Sequence, residues 1–181
     1  MKGMKLNLLI VLVILSFQSI AQEKTLYNFK ATTIDGKEFD FSTLKGKKVM
    51  IVNTATECSL APQLKKLQDL YEEYGGDDFE IIAFPCNDFG KQEPNDNNEI
   101  MEVCNSKYEI TFQMMGKIKI KGDDCHPVYK WLTNSEENGG LQAKVTWNYQ
   151  KFLINREGQV VDALSPISSP KSKRIIEWLM E

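Results

Sequence analysis

The chain has 181 residues, with 22 Lys or Arg against 25 Asp or Glu, for a net charge of −3. That length suits one domain with a real core and is short for two. The acidic balance gives no electrostatic reason to bind nucleic acid, and with Arg156 and Arg174 as the only guanidinium groups, clamps for phosphate are scarce.

The chain opens with a leader. Lys2 and Lys5 form a basic start, an apolar run follows from Leu8 to Phe17, and "SIA" ends it in small-x-small fashion. This is a signal-peptide pattern over residues 1–21 with cleavage expected after Ala21. The run is shorter than the about 20 residues needed to span a bilayer. An uncleaved N-terminal anchor is the alternative. Export to a periplasmic or extracellular space follows, where disulfides persist. Losing two lysines and no acid shifts the charge from −3 to −5 for the 22–181 domain.

"ATTIDGKEFDF" alternates around Asp35-Gly36 and predicts a β-hairpin. "VMIVN" (Val49–Asn53) reads as a buried strand. From Leu60 onward, Leu64, Leu67, Tyr71 and Tyr74 recur at steps of three and four, which predicts a helix with one buried stripe. "FEIIAF" (Phe79–Phe84) is a second buried strand, so the three segments form a βαβ unit with a parallel pair. A helix is predicted from about Asp96, with Ile100, Val103 and Cys104 on one face. "HPVYKWL" predicts another, with Pro127 in its first turn. "KFLI-NREG-QVVDAL" predicts an antiparallel hairpin. Ser169 and Pro170 then open a closing helix whose Ile175, Ile176, Trp178 and Leu179 face inward. The layout is α/β and thioredoxin-like, a central mixed β-sheet flanked by helices.

Cys58 falls between the first buried strand and the first helix. A thiol at a helix start meets the positive end of the dipole, which favours the nucleophilic thiolate. Apolar burial acts the other way and makes a packed, inert thiol. Position alone leaves both readings open. Four cysteines also allow two static disulfides or a zinc site, although no C-x₂-C pair is present. His126, the one histidine, reads as a packing or capping residue before Pro127 rather than a metal ligand.

Three stretches narrow the choice: "VNTATEC", "FPCNDFGKQEP" and "WNYQKFLINREG". Together they resemble the glutathione peroxidase family over nearly all of the chain from Leu26 onward. The resemblance implies a peroxidase that reduces hydrogen peroxide and organic hydroperoxides, without metal or organic cofactor. It assigns the peroxidatic role to Cys58 and supporting roles to Gln92, Trp147 and Asn148. Their N–H donors can stabilise a thiolate and the oxygen anion that leaves as the O–O bond breaks. Cys104 matches the resolving cysteine of the thioredoxin-dependent branch. It would close a disulfide on the Cys58 sulfenic acid for a thioredoxin-like protein to reduce. Because Cys104 sits on the apolar face of its helix, that helix is expected to unwind locally, and the polar "NDNNE" start suits a low-stability segment.

Cys86 reads as structural, and Cys125 has no assigned role. Ser59 replaces the family's usual glycine, Ala61 a common threonine, and Asp88 a glutamine, bringing a negative charge that would disfavour the thiolate if close. "TFQMM" departs from the commoner "TFP". No basic cluster is evident for glutathione, and the short "TNSEENGGLQAKVT" segment suits a monomer or weak dimer. The rival readings are a one-cysteine peroxidase served by glutathione or another small thiol, a peroxide sensor relaying a disulfide to a partner, and a secreted module with static disulfides.

Overall fold

The computed structural model describes residues 24–181, and the expected signal peptide lies outside them. The first hairpin pairs β1 (Lys30–Thr32) with β2 (Glu38–Asp40), Ala31 opposite Phe39, as a small separate sheet. Gly36 has φ of +84° in its turn, a conformation that costs glycine little.

β3 (Lys48–Thr54) is buried at every position, which is why its sequence reads as a continuous run rather than an alternation. It leads through a series of turns into α1 (Gln63–Tyr74), and β4 (Phe79–Pro85) returns parallel to β3, with Ile51 opposite Ile82. α2 (Asn97–Tyr108) and the two-residue strand β5 (Gln113–Met114) follow, then α3 (Pro127–Thr133). β6 (Lys151–Ile154) and β7 (Val160–Leu164) form the second hairpin before α4 (Lys173–Met180). The main sheet runs β5-β4-β3-β6-β7, parallel from β5 to β3 and antiparallel beyond. This is the mixed sheet that the sequence predicts.

Successive strand residues point to opposite faces, so the sheet separates two cores. Met50, Val52, Ile81, Ala83 and Leu153 pack with Leu64 and Leu67 of α1, Ile100 and Cys104 of α2, and Ile175 and Trp178 of α4. Val49, Ile51, Ile82, Phe84, Cys86 and Phe152 pack with α3 and the N-terminal hairpin. Fully burying each such leucine is worth about 1.5–3 kcal/mol.

Four expectations shift. α1 begins at Gln63 rather than Leu60, with Pro62 as its cap, so Cys58 stands a full turn ahead of the helix. α4 begins at Lys173 rather than Ser169, because Ser169–Ser172 close a backbone turn first. Of the stripe on α4, Ile175 and Trp178 are buried while Ile176 and Leu179 are half-buried. The polar start of α2 is a complete capping box rather than a frayed end. The Asp96 side chain accepts from the Asn98 and Glu99 amides at 2.9 and 3.0 Å, and Glu99 accepts from the Asp96 amide at 2.9 Å.

Candidate active site

The turn after β3 holds Cys58 almost wholly out of solvent. The Cys58 amide donates to Ala55 O at 3.4 Å, Ala61 donates to Cys58 O at 2.8 Å, and the Leu60 amide donates to the Cys58 sulfur at 3.4 Å. Among the described residues this is the only hydrogen bond to that sulfur. The favourable backbone donor therefore comes from the turn itself and not from the first turn of α1.

Gln92, Trp147 and Asn148 gather on the loop between β4 and α2 and on the approach to β6. Asn148 is fully buried, and its Nδ2 donates to Gln92 Oε1 at 3.0 Å and to Phe89 O at 3.4 Å, while its Oδ1 has no partner. Trp147 is 39 % exposed and lays its indole 5.9 Å from the Phe89 ring. Gly90 lies beside them with a left-handed φ of +64°, which favours glycine, and a Cβ there would meet the Gln92 side chain and the Trp147 ring only at an ordinary contact distance of 3.4 Å. Asn53 ties the segment to β3 by donating to Trp147 O at 3.2 Å and accepting from the Gln150 amide at 3.1 Å. The expected supporting residues thus come together, but their amide groups bond to this loop and to each other. Cys58 joins them through the backbone, where the Glu57 amide donates to Gln92 O at 3.0 Å.

Cys104 is also buried, in the same apolar cluster as Cys58, Ala55, Ala61, Tyr108 and Tyr149. Burial pushes its thiol up to about 12, with the Glu93 charge adding to the effect. Cys86 lies across the sheet, and burial likewise pushes it up to about 12. All four thiols are free. The Asp88 carboxylate is turned to the Ile120 and Lys121 amides, at 2.6 and 3.1 Å, where its charge raises the Cys86 thiol. Cys125 is half-buried beside the second core, and burial raises its thiol. His126 caps α3, its Nδ1 accepting from the Val128 amide at 3.3 Å, and burial lowers its pKa. Among the described residues, no group of three or more His, Cys, Asp or Glu is placed to hold a metal ion.

A cleft of about 540 Å³ opens beside Cys58, walled by Ala61, Pro62 and Tyr108 and carrying Lys65 and Lys107. Two cations from α1 and α2 thus line the same cleft as Cys58, although they lie 42 residues apart and make no cluster in the sequence. Sequence reasoning also passed over Glu93 and Tyr149. Tyr149 adopts a left-handed φ of 70° and donates its hydroxyl to Ala55 O at 2.8 Å, bracing the Cys58 turn. Glu93 is fully buried and accepts from Thr56 at both carboxylate oxygens. A glutamate in a polar loop reads as solvated, and only the fold brings Thr56 to it.

The family model described as glutathione peroxidase matches residues 26–133. A glutathione peroxidase-like peroxiredoxin of Schizosaccharomyces pombe is 44 % identical over 145 residues, covering 80 % of this chain and 91 % of that protein. A glutathione peroxidase of Lactococcus lactis is 42 % identical over 145 residues, covering 80 % and 92 %. Among solved structures, Trgpx in its apo form superposes with a TM-score of 0.66 at 37 % identity, covering 87 % of this chain and 97 % of that one. A thioredoxin-family thiol:disulfide interchange protein from Chlorobium tepidum, at 18 % identity and a TM-score of 0.60 over 89 % and 99 % of the two chains, shares the thioredoxin-like fold.

Proposed function

The chain belongs to the glutathione peroxidase family, and from that premise we propose that it reduces hydrogen peroxide and organic hydroperoxides through Cys58. As a family member it is a peroxidase-type oxidoreductase. The Cys58 thiolate attacks the terminal peroxide oxygen, the O–O bond breaks, and water or an alcohol leaves. Cys58 becomes a sulfenic acid. The Cys104 sulfur then displaces hydroxide from Cys58, closing a disulfide and releasing water. A thioredoxin-like dithiol reduces that disulfide by exchange and is itself oxidised.

The observation that carries the two-cysteine reading is that Cys58 and Cys104 share one apolar cluster on one face of the sheet. Cys86 and Cys125 belong to the other. Trp147, Gln92 and Asn148 supply donors to the site once peroxide is bound, since apo hydrogen bonds at such sites often rearrange. The leader supports export of the 22–181 domain.

One observation favours a second reading. Lys65 and Lys107 beside Cys58 suit an anionic small thiol such as glutathione, which would reduce the sulfenic acid directly. Cys104→Ser separates the two. In the two-cysteine cycle, steady-state turnover with a thioredoxin collapses in this variant while turnover with glutathione does not. Undiminished turnover with thioredoxin would end the resolving role of Cys104.

A further inference from the structure

Glu93 is a fully buried acid that the peroxidase cycle leaves without a task. Its side chain is fully enclosed, yet both carboxylate oxygens are used by one residue of the Cys58 turn. Oε2 accepts from the Thr56 amide at 2.8 Å and Oε1 from the Thr56 hydroxyl at 2.6 Å. The adjoining backbone repeats the grip, as Gln92 O accepts from the Glu57 amide at 3.0 Å. From behind, the Glu93 amide donates to Asn87 Oδ1 at 2.9 Å, and Asn148 holds the same loop at Phe89 and Gln92. A continuous set of bonds therefore runs from Asn148 through the loop to Thr56, two residues before Cys58.

A bracket of this kind does not need a charge. A glutamine amide could accept one bond and fill the same space, and a buried carboxylate costs desolvation. Two donors aimed at two acceptor oxygens, however, match the ionised form, because a protonated carboxyl gives up acceptor capacity to an O–H donor.

We propose that Glu93 is a positioning residue for the reaction of Cys58: its ionised carboxylate holds Thr56 at both donors and so fixes the turn that presents the thiol. Protonation of Glu93 loosens the turn and slows Cys58. The inference rests on Cys58 being the reactive thiol. The charged and titratable groups facing Glu93 are Glu57 in the turn, Lys117 after β5, Cys104 on α2 and Tyr149 before β6. Lys117 favours the carboxylate and Glu57 opposes it, while burial keeps Cys104 and Tyr149 neutral. Burial raises the Glu93 carboxyl, and the Thr56 donors offset only part of that rise.

The test follows Cys58 in the reduced protein from pH 5 to 9 by two readouts, its rate of oxidation by hydrogen peroxide and its rate of alkylation by iodoacetamide. In the wild type both rates show, on top of the ordinary loss of thiolate toward acid, an added drop of about tenfold where Glu93 takes up its proton, as for a lost charged hydrogen bond. Glu93→Gln lacks that added drop and runs about tenfold slower near neutrality. Thr56→Val keeps the carboxylate but removes the hydroxyl donor, so it moves the steep limb to higher pH. That variant decides the matter even where Glu93→Gln fails to fold. A wild-type profile without the added drop, or a limb that Thr56→Val leaves in place, overturns the proposal. Should the wild type ignore peroxide, the peroxidase reading falls separately, and the alkylation profile still decides whether Glu93 governs the thiol.

Discussion

Asp96→Ala tests whether α2 must open before Cys104 can reach Cys58. Cys104 lies two turns into α2, buried with Ile100 and Tyr108 against the sheet. The start of the helix is held by the Asp96–Glu99 capping box, with bonds of 2.9 to 3.0 Å in both directions. Replacing an N-cap aspartate by alanine costs about 1 kcal/mol, within about 0.5–2. If opening is a rapid equilibrium ahead of disulfide formation, the open fraction grows about fivefold, since about 1.4 kcal/mol is tenfold. The assay mixes reduced protein with peroxide, quenches with an alkylating tag at millisecond intervals, and measures the Cys58–Cys104 disulfide by mass spectrometry. Disulfide formation should be about five times faster, with the preceding sulfenic acid appearing at the wild-type rate. Glu109→Gly should act in the opposite direction, because residue 109 ends α2 with a left-handed φ of 55° that suits glycine. If a folded Asp96→Ala protein forms the disulfide no faster, the opening argument is wrong.

Three further outcomes are expected. Asn148→Ala should cost about 1–2 kcal/mol, because it abandons Gln92 Oε1 and Phe89 O while relieving the unpartnered Asn148 Oδ1. That lowers the melting temperature by about 2–8 °C, and an unchanged melting point would remove Asn148 from the bond network. With thiols pushed up to about 12, Cys86 and Cys104 should alkylate about a thousandfold more slowly at pH 8 than an ordinary exposed thiol, and rapid labelling of either in folded protein contradicts their burial. Lys151 is fully buried, donates to Gln63 Oε1, Pro166 O and Ser168 O, and is lowered by burial to about 7. Its folded pKa lies below the unfolded value of about 10.4, so the unfolded chain holds the extra proton between these limits and Lys151 makes stability rise with pH across that window. The denaturation free energy of the wild type minus that of Lys151→Met should climb from about pH 7 to 10, a difference that cancels the opposing trend from Cys86 and Cys104; a flat difference refutes the shift.

The strands and helices were legible because their apolar residues carry the period of the element. Val49–Asn53 and Phe79–Phe84 are runs with no polar face, as strands covered on both sides must be. Helix starts were less so. Leu60 continues the spacing of α1, yet Ser59 to Pro62 form turns, because Cys58 and Leu60 spend backbone carbonyls on Ala61 and Gln63 before the helix begins. β5 escaped notice, since two residues carry no period. Cys58, Gln92, Trp147 and Asn148 could be named from contiguous motif blocks. The roles of Thr56, Glu93 and Tyr149 could not, because each acts through a contact between distant segments. The same holds for Lys65 and Lys107, which become neighbours only when α1 and α2 pack beside Cys58.

The two-cysteine cycle is most directly tested by treating the fully reduced 22–181 protein with one equivalent of hydrogen peroxide and mapping every cysteine by mass spectrometry. A disulfide between Cys58 and Cys104, with Cys86 and Cys125 still thiols, is the predicted result. Cys58 left unoxidised while peroxide persists, or oxidised with Cys104 free and no disulfide formed, would contradict it.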